Sequence, residues 1–316
     1  MKRILALLIA LLPGLLTAGE EPMALEAAWG TLRGTLWSPD TPTDTAAVLI
    51  AGSGPTDRYG NSPAGIRTNS YALLAEELSR AGIATLSYDK RGIGASPYLR
   101  PEELLTDAHF SHFADDAERW VEELVGRGYR HIFLIGHSEG ALLAKIVAAR
   151  NSRVSGVISL CGAAYPIDQI LKVQLAGQLL AVDYTLYARA CRIIDTLKRG
   201  EEPEELPQSL ASLFPPYLNA YVHEWMSYDP CALVRELRCP LLVVGGGRDT
   251  QVSAANARAL KEACPTAELQ LFEQMAHTLK DTEGQRSGEQ LDAYMNPTLP
   301  LTPGLCEAIL NFIQSH

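Results

Sequence analysis

Short, largely apolar runs alternate with helical segments along most of this chain, and that alternation limits the possible folds more than any other feature. The apolar runs lie at 46–51, 83–88, 131–136, 154–160, 241–245 and 267–272. Segments with a helical spacing of apolar and charged residues lie at 71–80, 113–125, 141–149 and 254–263. Strands without polar interruptions are buried on both faces. The sequence therefore predicts an α/β fold with a mainly parallel central sheet and helices on both faces.

Three regions depart from this alternation. Two apolar runs between 25 and 37 predict an entering β-hairpin, and the irregular stretch 281–303 precedes a last helix at 304–313. The longest departure, 163–229, contains apolar helical segments, a charged linker and an aromatic-rich segment. We therefore predict a core domain formed by 19–162 and 230–316, with a helical insertion at 163–229.

The pentapeptide Gly-His-Ser-Glu-Gly occupies residues 136–140, between a predicted strand and a predicted helix. Gly-x-Ser-x-Gly in that context is the pattern of a nucleophile elbow. The sharp turn requires small flanking residues and exposes the hydroxyl, and the helix N-terminus favours developing negative charge. The pattern predicts that Ser138 is a catalytic nucleophile.

A serine nucleophile needs a histidine to accept its proton and a carboxylate to orient that histidine. On this type of fold the acid and then the histidine follow the serine in the chain. Of the later histidines, His277 follows a predicted strand, whereas His223 lies in the insertion and His316 is the terminus. His277 is therefore the predicted base.

The predicted acid is Asp249, because it ends a strand and a run of glycines just before a helix. The carboxyl ends of parallel strands share one edge of the sheet, so its carboxylate is expected on the same side as Ser138. Asp229 is the rival acid, but it precedes its strand. Capping of the helix that begins near Ser253 is the alternative role for Asp249.

Acyl transfer also requires backbone N–H donors for the oxyanion. The expected donors are Glu139, which follows the nucleophile, and Ser53, in the glycine-rich loop 51–60 after the first parallel strand. That loop has neither the dinucleotide pattern nor a Walker lysine, so a phosphate site is not predicted. After the next strand, Asp89 and Arg91 are expected to brace neighbouring loops through charged hydrogen bonds.

The first eighteen residues predict an export signal. Lys2 and Arg3 precede an apolar run from 4 to 16, and the segment ends in Ala18. The run is too short to cross a bilayer, which disfavours the alternative of an uncleaved membrane anchor. The predicted location of the mature protein is periplasmic or secreted, without stable membrane insertion.

Charge and cysteine content argue against several other classes of protein. The net charge is −10 and no Lys/Arg cluster stands out, so a nucleic-acid partner is not expected. Six cysteines are too few for a disulfide scaffold, and they include no Cys-x-x-Cys metal or redox motif. In an oxidising compartment Cys231 and Cys239 are a candidate disulfide pair. Buried apolar packing is the alternative role of the cysteines.

These motifs resemble the α/β-hydrolase superfamily. Gly-Ser-Gly-Pro at 52–55, Asp57-Arg58 and the His-Ser-Glu-Gly elbow resemble a bacterial branch of serine esterases with a helical lid, over about residues 46–313. The resemblance implies that 163–229 is the lid and that a small-molecule carboxylic ester is hydrolysed. The expected mechanism requires no cofactor or metal. Five lid side chains have the spacing of one apolar helix face, which favours the lid's own core over the alternative that they line an acyl pocket: Leu213, Phe214, Tyr217, Tyr221 and Trp225.

Two alternative functions remain open from the sequence. A serine aminopeptidase of the same fold would need acidic groups to bind a free amine, and the glutamates at 201–205 could supply them. That charged run is equally typical of a solvated linker. A non-catalytic ligand-binding protein is the other alternative, and a complete catalytic triad disfavours it. Oligomeric state and natural ester are not indicated.

Overall fold

The computed structural model describes residues 19–100, 102 and 108–316, so the predicted signal segment 1–18 lies outside the described residues. Within them, no helix is both long and apolar enough to cross a membrane. The strands are β1 (Gly19–Ala27), β2 (Gly30–Ser38), β3 (Thr45–Ile50), β4 (Asn61–Ser62), β5 (Ile66–Arg67), β6 (Ala84–Tyr88), β7 (His131–His137), β8 (Val154–Leu160), β9 (Leu241–Gly246) and β10 (Glu268–Phe272).

The described helices lie on both faces of the sheet and in the region between β8 and β9. They are α1 (Ser70–Arg80), α2 (Phe110–Gly126), α3 (Glu139–Arg150), α4 (Ile167–Leu179), α5 (Tyr184–Lys198), α6 (Asn219–Trp225), α7 (Pro230–Glu236), α8 (Ala254–Ala263), α9 (Ser287–Met295) and α10 (Leu305–Ser315). The 3-10 turn Pro216–Leu218 leads directly into α6.

Eight strands form the main sheet in the order β1-β2-β6-β3-β7-β8-β9-β10. The hairpin of β1 and β2 joins β6 in antiparallel orientation, and every pairing from β6 to β10 is parallel. The predicted mainly parallel α/β sheet is thus confirmed. Because the parallel strands end at one edge, the loops after β3, β7, β9 and β10 lie on the same side of the molecule.

The two faces of the sheet are covered by separate apolar clusters. Along β3, Ala46, Val48 and Ile50 face the cluster that includes α2, α3 and α8, whereas Ala47 and Leu49 face the cluster that includes α1 and α10. Successive side chains of a strand point to opposite faces, so a strand covered on both sides is largely apolar. This explains the apolar runs of the sequence.

The stretch 163–229 contains α4, α5, the 3-10 turn and α6, and much of it packs around its own apolar cluster. The α4–α5 pair is centred on buried residues such as Ile170 and Ile194. The charged linker predicted after α5 is a loop, in which the glutamates are exposed. The insertion therefore has a small core beside the main one.

Two short helices were not predicted. The stretch expected to be irregular, 281–303, contains α9, and α7 follows directly after Asp229. Each is under ten residues and so carries too few turns for a clear helical pattern of apolar residues. Local hydrogen bonds hold their first turns: the Asp229 carboxylate accepts from the N–H of Cys231 and Ala232, and the Glu289 carboxylate accepts from the N–H of Arg286.

All six cysteines lie within the described residues, and each is a free thiol. The candidate pair Cys231–Cys239 is therefore not formed. Cys231 lies in the first turn of α7, where its Sγ is 3.9 Å from the carbonyl oxygen of Ala259. Cys161 is buried beside the sheet, as expected of a cysteine that packs as a small apolar residue.

Candidate active site

Ser138 occupies a strained turn between β7 and α3. Its backbone has φ 53° and ψ −115°, a combination that L-residues rarely adopt. The two glycines of the pentapeptide have no room for a side chain. A Cβ on Gly136 would lie 2.1 Å from the Gly140 carbonyl oxygen, and a Cβ on Gly140 would lie 2.2 Å from the Ile50 carbonyl oxygen. The local sequence therefore forms the sharp strand-to-helix elbow that its pattern predicted.

His277 and Asp249 are joined by a hydrogen bond of 2.7 Å between Nδ1 and Oδ2. A carboxylate accepts hydrogen bonds, so Nδ1 carries the proton and Nε2 is left with its lone pair. The other Asp249 oxygen accepts from the N–H of Gln251 and Val252, each at 2.8 Å. Asp249 thus orients the histidine and also holds the following turn, but it does not cap α8, whose N-cap residue is Ser253.

The pKa of Asp249 is below its ordinary value. Burial alone would raise it, but the His277 imidazole and the two backbone N–H groups outweigh burial. The carboxylate therefore stays ionised over the range in which a histidine titrates. An ionised Asp249 is what an imidazole needs if it is to become positively charged during a reaction.

The residues considered as alternatives for the acid and the base do not line the cavity that contains Ser138. Asp229 caps α7, and the Nδ1 of His223 is 3.1 Å from the carbonyl oxygen of Leu197 within the insertion. His316 stacks on Phe312 at the end of the chain. Ser138 and His277, in contrast, line one common cavity.

The loop after β3 approaches the elbow closely. A Cβ on Gly52 would lie 3.3 Å from the Ser138 Cβ, so only glycine allows this approach without displacement. Ser53, the next residue, lines both cavities that contain Ser138. Glu139, the other predicted oxyanion donor, is the first residue of α3, and its carboxylate is buried. Both predicted donors are therefore adjacent to Ser138.

Ser138 lies between two small cavities. The first, of about 100 Å³, is bounded by the loops that carry Ser53, Thr68 and Thr278 and by Tyr294 of α9. The second, of about 120 Å³, lies under the insertion, and its apolar lining includes Leu142, Ala163, Ile167, Ile170, Leu171, Trp225 and Val252. The elbow serine can therefore contact a molecule that extends to either side.

The five aromatic and aliphatic residues of the insertion do not form one face. Trp225 lines the apolar cavity, whereas Phe214 is buried in the insertion's own core. Leu213 and Tyr217 are exposed, and the Tyr221 hydroxyl donates a hydrogen bond to the Glu139 carboxylate. The 3-10 turn and the short α6 separate these residues, so the single helical face assumed from their spacing is wrong.

The predicted bracing of the loops is present. Asp89 is buried and accepts hydrogen bonds from the Arg58 side chain, the Arg58 N–H and the Ala95 N–H, each at 2.7 Å. Arg91 forms a two-pronged ion pair with Asp116 of α2. These bonds connect the loop after β3, the loop after β6 and a covering helix behind the site.

A buried chain of hydrogen bonds that the sequence analysis missed connects three active-site loops. The Gly52 N–H donates to the Tyr71 hydroxyl at 3.0 Å, and that hydroxyl donates to His137 Nδ1 at 2.7 Å. The His137 Nε2–H donates to the backbone carbonyl of His277 at 2.8 Å. The middle residue of the Gly-His-Ser triplet was visible in the motif, but its partners are remote in sequence.

Burial of the His137 ring, together with the nearby His277 ring, lowers the pKa of His137 to about 3. In the neutral ring, Nδ1 accepts one hydrogen bond of this chain and Nε2–H donates the other. A protonated ring has no acceptor nitrogen, so it would lose the bond from the Tyr71 hydroxyl. Burial also raises the pKa of Tyr71, so its hydroxyl keeps its proton. The network is therefore neutral over the whole range from mildly acidic to alkaline pH.

We expect His137 to make the fold acid-sensitive. Its folded pKa is below the unfolded value, so its contribution to stability is complete above about pH 6.5 and is lost as the pH falls towards 3. The free energy of unfolding should fall by up to about 1.4 kcal/mol per pH unit from this group alone. Urea unfolding at pH 7.5 and 4.5 measures the loss, which should be about 3 kcal/mol smaller in His137→Gln.

The exposed His131 supplies the matched control, since it lies at the start of the same strand. His131→Gln should retain the pH dependence of the parent protein. An equal loss of stability in the His137→Gln variant and the parent would contradict the expectation.

Sequence comparison finds relatives among hydrolytic enzymes. Residues 65–204 match the family described as serine aminopeptidase, S33. Esterase EstD of Thermotoga maritima is 28% identical over 249 residues, which cover 76% of this chain and 56% of that protein. The match thus spans little more than half of the relative's length.

Solved esterase structures share this fold. Est1E from Butyrivibrio proteoclasticus superposes with a TM-score of 0.57 at 17% identity, covering 93% of this chain and 96% of that chain. The Pyrococcus furiosus esterase Pf2001 gives a TM-score of 0.52 at 16% identity, covering 94% and 91%. At this low identity the comparison shows a shared fold. The superposition covers nearly all of this chain and nearly all of each solved structure.

Proposed function

We propose that this chain, which has the α/β-hydrolase fold, is a serine carboxylesterase that cleaves small to medium esters through an acyl-enzyme intermediate. The observation that carries the proposal is the elbow serine, Ser138, sharing a cavity with His277, whose Nδ1 is held by the Asp249 carboxylate. A nucleophile, a base and an orienting acid are the groups that acyl transfer from an ester requires.

The proposed reaction has two halves. The Ser138 Oγ attacks the ester carbonyl carbon while His277 Nε2 takes the hydroxyl proton, and the oxyanion accepts hydrogen bonds from the N–H groups of Ser53 and Glu139. Collapse of this intermediate breaks the bond to the alcohol, which receives the proton from His277. Water then attacks the acyl-enzyme with His277 as base, and the acid leaves from Ser138.

The two cavities support the proposed substrate size. We assign the acyl group to the apolar cavity beneath Trp225 and the alcohol to the cavity near Tyr294. An apolar cavity of about 150 Å³ is enough to hold benzene. The apolar cavity here, of about 120 Å³, therefore suits acyl chains of about two to six carbons.

An aminopeptidase is the second candidate, because the matching family is described as serine aminopeptidase. Recognition of a free amine needs an available carboxylate near the nucleophile. Among the described residues that line the two cavities, the only carboxylate is Glu139, and it is engaged by Lys90 and Tyr221. The glutamates at 201–205 line a separate surface cavity with Arg189 and Arg192. The chemistry of the site therefore favours an ester.

We also propose that the chain is exported and that residues 1–18 are removed as a signal peptide. The basic start, the short apolar run and Ala18 support this proposal. N-terminal sequencing of protein recovered from a bacterial periplasm tests it, and a mature chain beginning at Gly19 is the expected result. A chain that retains Lys2 and Arg3 would contradict it.

A substrate panel tests the proposed activity. We expect the purified chain to hydrolyse p-nitrophenyl acetate, butyrate and hexanoate, with kcat/KM falling at least about 10-fold from hexanoate to decanoate because longer chains exceed the apolar cavity. Amino-acid p-nitroanilides should not be cleaved. Faster cleavage of the anilides would instead support the aminopeptidase.

A further inference from the structure

Lys90 is a buried lysine that directly follows Asp89 in the loop after β6, and its side chain is only 3% exposed. Its Nζ donates to the Gly52 carbonyl oxygen at 2.6 Å and to Glu139 Oε1 at 3.1 Å, and it lies 5.5 Å from the centre of the Phe113 ring. The ammonium therefore contacts both segments that carry the proposed oxyanion donors. Lys90 is not a member of the proposed triad, and it is not among the residues that line the two cavities.

The first contact is made to the peptide that contains the Ser53 N–H. The carbonyl of Gly52 and the N–H of Ser53 belong to one planar unit, and no cis peptide occurs among the described residues. In a trans peptide the C=O and N–H bonds point in opposite directions. An ammonium bound to the Gly52 oxygen therefore fixes the direction of the Ser53 N–H on the opposite side of the peptide. It also polarises the peptide, which makes the Ser53 N–H a stronger hydrogen-bond donor.

Gly52 is held at its other end as well, because its N–H donates to the Tyr71 hydroxyl. Both peptide units that flank Gly52 thus have a buried side chain as partner. A glycine without these bonds would be free to rotate, and the direction of the Ser53 N–H would change with it. The direction of the Ser53 N–H is consequently set before a substrate binds.

The second contact balances a negative charge. The Glu139 carboxylate is 1% exposed and lies on the residue whose N–H is the other proposed donor. An unpaired carboxylate there would repel an oxyanion developing at Ser138, since charges interact strongly in a site that excludes water. Lys90 neutralises this carboxylate, and the Tyr221 hydroxyl donates to its other oxygen.

We propose that Lys90 is the positioning residue of the oxyanion hole: it orients the Gly52–Ser53 peptide towards the oxyanion and cancels the charge of Glu139. This inference rests on the proposed esterase function. Its contribution is larger in the transition state than in the bound ester, because the oxyanion exists only there. Loss of Lys90 should therefore lower kcat and leave KM nearly unchanged.

The experiment compares Lys90→Met with the parent on p-nitrophenyl butyrate. Removal of one direct oxyanion donor typically costs about 100- to 1,000-fold in kcat, so loss of a group acting through the donors should cost about 10- to 100-fold. KM should change less than about 3-fold. The inhibition constant of a trifluoromethyl ketone, which forms a tetrahedral oxyanion on the serine, should rise in parallel with the loss in kcat.

Lys145→Met is the matched control. Lys145 is also fully buried, its Nζ donates to the Ser159 hydroxyl at 3.0 Å, and it is not among the residues that line the two cavities. This variant should keep the parent's kcat. An equal loss of kcat in the two variants would mean that removal of any buried lysine disturbs the site, and would overturn the proposal.

A double variant covers the case in which Lys90→Met does not fold because Glu139 is left unpaired. Lys90→Met/Glu139→Gln has no uncompensated buried charge and keeps the Glu139 backbone N–H. Its kcat should be about 10-fold below that of Glu139→Gln alone, because the double variant lacks the ammonium that binds the Gly52 carbonyl oxygen. Equal kcat values would overturn the proposed orienting role.

The outcomes for the parent protein separate this inference from the proposed function. If the parent does not hydrolyse p-nitrophenyl esters, the esterase proposal fails, and the role of Lys90 in that reaction fails with it. If the parent is active, Ser138→Ala is inactive and Lys90→Met has full kcat, only the role of Lys90 is refuted.

Discussion

Replacement of Ser138 with alanine should lower kcat for p-nitrophenyl butyrate by about 10⁴-fold or more. The reaction proposed here depends on a covalent bond to the Ser138 Oγ, and alanine offers no atom for that bond. The elbow should remain folded, because alanine is smaller than serine and Gly136 and Gly140 still permit the turn. Residual hydrolysis would come from the oxyanion donors and binding alone.

The measurement pairs kinetics with covalent labelling. A fluorophosphonate probe should label the parent chain at Ser138 and leave Ser138→Ala unlabelled. Ser152→Ala is the control, because Ser152 is exposed in the turn after α3 and should retain full activity and labelling. Labelling of Ser138→Ala to the parent's extent would identify another nucleophile, and an unlabelled parent would support a non-catalytic ligand-binding protein.

Asp249→Asn should have the second largest effect, a loss of about 10⁴-fold in kcat. The asparagine amide has nearly the same size but no charge, so it cannot stabilise a positively charged His277. Its NH₂ group can also donate to Nδ1, which would place the proton of the neutral ring on Nε2 and leave no base for the serine. KM should change little, because Asp249 is not among the residues that line the cavities.

Asp229 provides a matched control for the acid. It precedes α7 and accepts two backbone N–H groups at the helix start. Asparagine caps helices about as well as aspartate, so Asp229→Asn should keep both activity and stability. A loss of activity in Asp229→Asn together with an active Asp249→Asn would reverse the assignment of the acid.

Much of the fold was predictable because its signals are local. A parallel strand that is buried on both faces is largely apolar, so runs such as 241–245 identify β9 without knowledge of its neighbours. The elbow is likewise a property of five consecutive residues, in which two glycines allow the turn that Ser138 adopts. The helices α7 and α9 were missed because short helices are stabilised mainly by contacts elsewhere in the molecule.

The candidate triad was predictable to a lesser degree. Chain order and strand ends selected Asp249 and His277, and the structure brings their side chains into a hydrogen bond. The aromatic residues of the insertion were not predictable in the same way. Their spacing suggested one helical face, but a change of backbone between Phe214 and Trp225 sends them to different surroundings.

The sequence by itself determined the parallel sheet, the elbow and the order of the residues that meet at its edge, because each depends on neighbours in the chain. Only the tertiary structure decided how the interior polar groups are paired. Lys90 bonds to a carbonyl 38 positions away, and His137 to a carbonyl 140 positions away. A buried polar group must find a partner, but which partner it finds depends on packing between distant segments, and no local pattern records that.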